Sequence, residues 1–153
     1  MKTVFFAGSF NPFTRGHADI AERLMRISDR VLIGIGLNID KPGALETAEE
    51  NASKIREWIK ARGYNERMET VVYSGLTGEV ALSHGADCLA RGIRNGADFD
   101  YEYSLAAINR DAFGIDTLLL TADPSLGYVS SSAIRDLESR GRYDLAARYL
   151  PDI

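Results

Sequence analysis

Five short apolar runs, separated by longer amphipathic stretches, dominate the pattern of this chain. The runs are typical of buried strands and lie at 3–7, 30–37, 68–75, 86–92 and 114–121. Helical patterns occupy most of the remaining sequence, at 16–27, 47–61, 77–84, 98–110, 130–139 and 143–149. Alternation of strand and helix predicts an α/β fold, in which a five-stranded parallel sheet carries helices on both faces.

Local signals refine the ends of the first two helices. Ile20, Ala21, Leu24 and Ile27 share one helical face and are predicted to be buried. The spacing of Thr47-Ala-Glu-Glu50 is that of a capping box, so we expect the second helix to begin there and to end at Gly63.

Composition limits the classes of partner. A chain of 153 residues is most simply one domain, residues 1–153. Its net charge of -4 provides no basic field for nucleic acid. The single cysteine, Cys88, leaves no internal disulfide or cysteine metal cluster, and we expect it to be buried. No apolar run is long enough for a signal peptide or a membrane span, so we expect a reducing, cytoplasmic location and no membrane partner.

The segment after the first strand, GSFNPFTRGH at 8–17, has the residues of an anion-binding loop. Gly8 and Ser9 are small enough for a ligand to approach the backbone. Thr14 and His17 stand at the entry of a helix, where free N–H groups and the positive dipole end favour phosphate. The alternative is that Thr14 only caps the helix and His17 faces solvent.

Two further strand exits, at 91–94 and 125–132, carry polar groups. Arg91 and Arg94 are suited to bidentate phosphate binding, although they could instead be surface residues paired with Asp98 or Asp100. Glu102, by spacing alone, is a solvated helix charge. Since ligands bind beyond the carboxyl ends of strands in open parallel sheets, the three exits are expected to converge on one site.

Three consecutive serines, Ser130 to Ser132, enter a helix at the third of these exits. One serine would serve as a helix cap, but three exceed what capping needs and supply hydroxyl and N–H donors to an anion. Arg135, one turn further on, either adds charge or is simply exposed. Lys41 leaves the second strand at the same edge of the sheet.

Together these segments resemble the bacterial-type phosphopantetheine adenylyltransferases of the nucleotidyltransferase superfamily. Thr14-Arg-Gly-His17 matches the superfamily motif (T/H)-x-G-H. RGIRNGADFDYE and VSSS are similar to the family's R-G-(L/I)-R-x-x-x-D-F-x-Y-E and (I/V)-S-S-(S/T). The resemblance extends over nearly the whole chain and implies a single Rossmann-like domain. It also implies transfer of the adenylyl group of ATP to 4′-phosphopantetheine, which gives dephospho-coenzyme A and pyrophosphate.

The resemblance assigns roles to individual positions. It implies catalytic roles for His17, Lys41 and Arg91, and acceptor binding by Ser9, Lys41, Thr77 and Arg91. It implies ATP binding by Ser9, Phe10, His17, Gly92, Ile93, Arg94, Glu102, Leu126, Gly127, Tyr128, Val129, Ser130, Ser131 and Ser132. It further suggests a homohexamer and feedback by coenzyme A.

The sequence departs from the family pattern at a few positions. Asn11 replaces the usual aspartate, and Asn51 stands where an arginine is common. The loop after Lys41 is diverged, so the acceptor-binding lysine could be offset by a position, with Lys54 a distant alternative. Thr77 falls where the family usually has a larger apolar residue.

The residues also constrain the mechanism. No nucleophilic cysteine or Ser-His-Asp pattern stands at the exits, and a phosphate acceptor is already ionised at pH 7. Direct in-line attack therefore requires positioning and charge neutralisation, with a donor at His17. We expect Mg²⁺ to be held by phosphates and water, because the motifs contain few carboxylates. The alternatives are a transferase acting on nicotinamide mononucleotide or glycerol phosphate, and a nucleotide-binding sensor without catalysis.

Overall fold

A computed structural model describes residues 1–152. All five predicted strands are present: β1 Thr3–Gly8, β2 Arg30–Gly36, β3 Met68–Tyr73, β4 Cys88–Ile93 and β5 Asp116–Thr121. The helices are α1 Arg15–Leu24, α2 Ala44–Arg62, α3 Thr77–Ser83, α4 Gly96–Phe113, α5 Ser131–Ser139 and α6 Tyr143–Ala146. Short 3₁₀ turns follow β5 at Pro124–Leu126 and α6 at Ala147–Tyr149.

The five strands form one sheet in the order β3-β2-β1-β4-β5, and every neighbouring pair is parallel. The prediction of a five-stranded parallel sheet is confirmed. The chain runs outward from β1 to β2 and β3, then returns to place β4 on the other side of β1. The strand order therefore reverses between β1 and β4, and the carboxyl ends of these two strands form the crevice in which such sheets bind ligands.

The alternating side chains of the central strands separate two hydrophobic clusters. Val4 and Phe6 pack with α1 and α2, whereas Phe5, Ala7 and Leu32 pack with α3 and the end of α4. Both faces of the sheet are thus covered by helices, as predicted. A third, smaller cluster joins α5 and α6 beyond β5.

The predicted start of the second helix is wrong. α2 begins at Ala44, and Gly43, with φ 73°, is its N-cap without a side-chain cap. The N–H of Thr47 donates to the carbonyl of Gly43, so Thr47 lies inside the helix. Glycine adopts the left-handed conformation at little cost, which allowed the chain to turn into the helix before the capping box was reached. Gly63 does end α2, as predicted.

The first helix is shorter than predicted, and its last expected buried residue is exposed. α1 ends at Leu24, and Ile27 is 59% exposed. The carbonyl of Leu24 accepts from the backbone N–H of Ile27 at 3.2 Å and from the hydroxyl of Ser28 at 2.7 Å. The Ser28 hydroxyl thus takes the place of the Ser28 backbone N–H that a continuing helix would have supplied.

Candidate functional site

A cavity of about 410 Å³ lies beyond the carboxyl ends of β1 and β4, where the strand order reverses. We call it the first cavity. Its wall contains residues from all three polar strand exits identified in the sequence. From the predicted ATP-binding set it includes Ser9, Phe10, His17, Gly92, Arg94, Glu102, Leu126, Val129, Ser130, Ser131 and Ser132.

Thr14 and His17 form a reciprocal cap at the start of α1. The Thr14 hydroxyl accepts from the His17 backbone N–H at 3.2 Å, and His17 Nδ1 accepts from the Thr14 backbone N–H at 3.0 Å. Because a backbone N–H can only donate, Nδ1 carries no proton. The neutral imidazole therefore bears its proton on Nε2. The cap does more than start the helix, since it leaves one defined N–H donor on a residue that lines the first cavity.

The surroundings of His17 keep this imidazole neutral. Burial, assisted by the nearby positive charges of Arg91 and Arg94, lowers the pKa of His17 to about 3. Aromatic rings enclose it, with Phe10 edge-on at 4.9 Å and Phe13 stacked at 5.7 Å between ring centroids. At neutral pH His17 is thus an uncharged donor in an otherwise cationic region.

Phe10 shapes the turn that brings the loop to the cavity. It is the one non-glycine residue with positive φ, 48°, among the described residues 1–152. The residue is 2% exposed, and its ring lies under Gly8, where a Cβ would be 3.0 Å from the ring. The side chain of Phe10 therefore belongs to the core, and any contact with a ligand falls to its backbone.

Arg91 is held by three protein acceptors. Its Nε and one terminal nitrogen donate to the two carboxylate oxygens of Glu102 at 2.8 and 2.7 Å, and its other terminal nitrogen donates to the carbonyl of Ala7. Burial by itself would lower the pKa of Arg91, but the hydrogen bond and charge of Glu102 raise it. Two of the five guanidinium N–H groups remain without a protein partner. Arg91 can still donate to a ligand.

Glu102 differs from the expectation of a solvated helix charge. It is 5% exposed, and both its oxygens accept from Arg91. The residue stands in the middle of α4, which packs against β4 and β5, and its carboxylate faces Arg91 of β4. Its predicted contact with ATP stays a prediction.

Arg94 links two of the polar segments. A terminal nitrogen donates to the carbonyl of Val129 at 3.2 Å, while Nε lies 3.4 Å from a carboxylate oxygen of Asp98. The same oxygen accepts from the Arg94 backbone N–H at 3.0 Å. Both readings of Arg94 from the sequence therefore have support: it pairs with Asp98, and it lines the first cavity.

The three serines have different partners. Ser130 caps α5 by accepting from the Ala133 N–H at 3.1 Å. Ser131 donates to the carbonyl of Pro12 at 2.8 Å and so ties α5 to the first loop. The hydroxyl of Ser132 lies 3.5 Å from that of Ser130. Capping accounts for one serine only, and all three line the first cavity.

Arg135 adds a second tie between the same segments. It is exposed, and its guanidinium donates to the carbonyl of Asn11. It also lines the first cavity. Together with Ser131, it fastens the loop at 8–14 to the start of α5.

A second cavity, of about 420 Å³, lies directly beside the first. Thr77, predicted to bind the acceptor, is part of its wall, together with Tyr73 and Asn109. The two cavities share six wall residues: Ala7, Gly8, Ser9, Arg91, Tyr101 and Glu102. Two ligands can therefore lie on either side of the Arg91–Glu102 pair and meet at the end of β1.

Four predicted site residues line neither cavity: Lys41, Ile93, Gly127 and Tyr128. Lys41 is exposed in the loop between β2 and α2. Tyr128 is 70% exposed and meets Tyr149 edge-on at 6.0 Å. The roles assigned to these four residues stay predictions.

Sequence reasoning missed Tyr73. The residue ends β3, so it stands at the carboxyl edge of the sheet, where the other four strands also end. The available signal was its place as the last residue of the apolar run TVVY, directly before the polar Ser74.

The two departures Asn11 and Asn51 meet in the fold. Asn51 is 6% exposed on α2, and its side-chain nitrogen donates to the side-chain oxygen of Asn11 at 3.2 Å. An aspartate and an arginine at these positions would carry opposite charges. A neutral amide pair makes the corresponding link here, between the first loop and α2.

Among residues 1–152, no group of three or more His, Cys, Asp and Glu side chains is placed to hold a metal ion. Within the same residues, no helix combines the length and apolar character needed to cross a bilayer. Contrary to the expectation from the sequence, Cys88 is not fully buried: it is a half-buried free thiol that packs against the core, and burial raises its pKa.

Solved structures support the fold. A Vibrio parahaemolyticus protein assigned as a nicotinate-nucleotide adenylyltransferase superimposes with a TM-score of 0.62 at 18% identity, over 99% of this chain and 95% of that one. A bifunctional NMN adenylyltransferase/ADP ribose pyrophosphatase from Francisella tularensis gives a TM-score of 0.61 at 16% identity, over 92% of this chain and 42% of that one. At these identities the likeness concerns the fold.

Sequence comparison is more specific. Residues 5–137 match the cytidylyltransferase-like family. A phosphopantetheine adenylyltransferase of Porphyromonas gingivalis is 48% identical over 137 residues, which cover 90% of this chain and 87% of the relative. One from Leuconostoc citreum is 36% identical over 153 residues, covering 100% and 94%. The chain therefore belongs to the phosphopantetheine adenylyltransferase family and is a nucleotidyltransferase.

Proposed function

We propose that this nucleotidyltransferase transfers the adenylyl group of ATP to 4′-phosphopantetheine, releasing pyrophosphate and forming dephospho-coenzyme A. The observation that carries the proposal is the shared wall of the two cavities at Gly8, Ser9 and Arg91. A transfer between two substrates requires their reacting groups to be in contact. Ligands in the two cavities can make that contact at the shared wall. The names of the curated relatives support the same reaction.

ATP occupies the first cavity in this proposal. Its lining supplies the donors that a triphosphate needs: Nε2 of His17, the guanidinium of Arg94 and the hydroxyl of Ser132. The N-termini of α1 and α5 end at the same cavity and add positive dipole ends. The supply of cationic and neutral donors is local, in a chain whose net charge is -4.

The acceptor occupies the second cavity, with its phosphate at the shared wall. Arg91 offers its two remaining N–H groups to that phosphate. Ser9 stands at the same wall. On the strength of the family resemblance, Lys41 belongs to this proposal as a charged contact with the acceptor phosphate, and Thr77 as a contact with the arm of the acceptor.

The reaction itself is a direct in-line displacement. An oxygen of the acceptor phosphate forms a bond to the α-phosphorus, while the bond from that phosphorus to the bridging oxygen breaks and pyrophosphate leaves. The attacking phosphate is already ionised, so no general base is required. Nδ1 of His17 accepts from a backbone N–H instead of facing a carboxylate, as a nucleophilic triad would require. His17 Nε2 instead donates to the α-phosphate oxygen, where charge develops.

Mg²⁺ bound with ATP would supply neutralisation of the phosphate charge. The two carboxylates that line the first cavity, Asp98 and Glu102, are each paired with an arginine. This donor set fits an ion coordinated mainly by phosphate and water, with Asp98 and Glu102 committed to holding Arg94 and Arg91. A cytoplasmic location, a homohexamer and feedback by coenzyme A complete the proposal on the strength of the family resemblance.

Pyrophosphate release tests the function. The chain is incubated with ATP and Mg²⁺, and with 4′-phosphopantetheine, nicotinamide mononucleotide or no acceptor. We expect release with 4′-phosphopantetheine alone, together with a product of the mass of dephospho-coenzyme A. Release with nicotinamide mononucleotide would overturn the acceptor assignment. ATP binding without release under any condition would favour a sensor.

A further inference from the structure

Tyr73 is fixed in place at the carboxyl edge of the sheet. Its ring lies over two glycines of β2, where a Cβ on Gly34 or Gly36 would come within 3.1 Å of the ring or its hydroxyl. Phe5 meets the ring edge-on, with centroids 5.5 Å apart. Because β2 offers glycine at both positions, the phenol can lie flat across the strand and its hydroxyl reaches the second cavity.

The Tyr73 hydroxyl has one side-chain partner. It lies 2.9 Å from the hydroxyl of Thr77, the first residue of α3, and both residues line the second cavity. We call these two residues the hydroxyl pair. Several neighbours in the wall are apolar, namely Leu76, Leu89, Leu105, Ala106 and Phe113. The side-chain N–H of Asn109, which is also in the wall, donates to the carbonyl of Leu105 in the same helix.

A count of donors and acceptors defines what the hydroxyl pair can bind. Each hydroxyl has one O–H and two lone pairs, and their mutual hydrogen bond uses one O–H and one lone pair. The pair therefore retains one O–H donor and several acceptor lone pairs. A secondary amide presents the complement, with one carbonyl acceptor and one N–H donor. Carboxylates and phosphates lack the N–H, and an apolar chain would leave the remaining O–H unpaired.

We propose that the hydroxyl pair of Tyr73 and Thr77 recognises a secondary amide in the arm of the acceptor and so determines acceptor specificity. The inference rests on the proposed function, since it places the acceptor phosphate at Arg91 and its arm in the second cavity. 4′-Phosphopantetheine has two secondary amides along that arm. A site that hydrogen-bonds a substrate group discriminates strongly against analogues that lack it, because its own polar groups are then left unpaired.

The test removes each hydroxyl without changing the shape of its residue. We expect Tyr73→Phe and Thr77→Val each to lower kcat/KM for 4′-phosphopantetheine about tenfold, the loss of one buried hydrogen bond. The KM for ATP should stay unchanged. Thr77→Ser retains the hydroxyl and should restore most of the activity. Tyr64→Phe is the matched control, because Tyr64 donates to Glu22 at 3.1 Å and lines neither cavity.

Acceptor analogues link the loss to an amide. In each of two analogues, one amide of 4′-phosphopantetheine is replaced by –CH2–CH2–. The wild-type chain should lose about tenfold in kcat/KM with one of them, and Tyr73→Phe should lose nothing further with that same analogue.

The outcomes separate this inference from the proposed function. A wild-type chain that uses 4′-phosphopantetheine, with Tyr73→Phe and Thr77→Val both within twofold of it, would overturn the role of the hydroxyl pair and leave the function standing. The role of the hydroxyl pair would also be overturned if Tyr73→Phe lost a further, equal factor in kcat/KM with both analogues, because its hydroxyl would then contact neither amide. A wild-type chain that does not use 4′-phosphopantetheine would overturn both.

Discussion

The guanidinium of Arg91 and the carboxylate of Glu102 form a two-point ion pair that lies between two cavities of nearly equal volume. The side chain of Glu102 is 6% exposed and that of Arg91 is 31% exposed, so the arginine is the member that ligands can reach. The pair fixes the direction of the remaining Arg91 donors. Through this pair, α4 positions the guanidinium of Arg91 at the wall that the two cavities share.

Glu102→Gln should raise the KM for the phosphate acceptor more than the KM for ATP. The substitution keeps the size of the side chain but removes the charge that orients Arg91. We also expect a loss of about 1–3 kcal/mol in the free energy of unfolding, because a largely buried charge loses its partner. Asp98→Asn, which breaks the more exposed pair with Arg94, should cost less than about 1 kcal/mol. If ATP KM rises instead, Glu102 contacts the nucleotide.

His17→Ala should lower kcat about 10²–10³-fold and change the KM for ATP much less. The reason is that the Nε2–H donates most strongly to an oxygen that gains charge in the transition state. Steady-state kinetics with varied ATP measures both quantities. His84→Ala is the matched control, since His84 is an exposed histidine that lines neither cavity. An unchanged kcat in His17→Ala would contradict the assignment.

The low pKa of His17 gives the protein a stability that depends on pH. The pKa is about 3 in the folded chain and about 6.5 in the unfolded chain, so between these values the unfolded chain binds more protons. The free energy of unfolding should therefore fall as the pH decreases from about 6.5 toward 3. We expect His17→Asn to reduce this dependence, measured as the shift of Tm between pH 7 and pH 5. Parallel curves for the two proteins would contradict the prediction.

The amide pair of Asn11 and Asn51 should be replaceable by an ion pair only as a unit. Asn11→Asp or Asn51→Arg alone leaves a charge without a partner next to a side chain that is 6% exposed, and should destabilise the chain. The double variant provides both charges and should recover stability, with a coupling energy of about 1–3 kcal/mol in urea unfolding. Additive effects of the two substitutions would show that the side chains do not interact.

Acceptor binding by Lys41 can be tested against Lys54. Lys41→Ala should raise the KM for the acceptor about tenfold, the effect of one charge-assisted hydrogen bond, and leave the KM for ATP unchanged. Lys54 is exposed on α2 and lines neither cavity, so Lys54→Ala serves as the control. If Lys54→Ala raised the KM for the acceptor and Lys41→Ala left it unchanged, acceptor binding would be assigned to Lys54.

Strands and helix ends were predicted correctly from the local sequence where only one sequence pattern was present. Each of the five strands is a short apolar run between polar segments, and no competing pattern overlaps it. The start of α2 was predicted wrongly because two signals competed, and Gly43 turned the chain before Thr47 could cap it. The end of α1 was missed because Ser28 satisfies the carbonyl of Leu24 with its side chain, which hydrophobic periodicity does not register.

The sequence by itself determined the order of strands and helices, the edge of the sheet that carries polar loops, and the motifs that point to an adenylyltransferase. These properties depend on residues close together in the chain, whose spacing is visible in one dimension. The tertiary structure decided which groups meet. It buried Glu102 against Arg91 and brought Asn11 to Asn51. The partners of Arg91 and Asn11 come from different elements, so their contacts exist only after the helices have packed on the sheet.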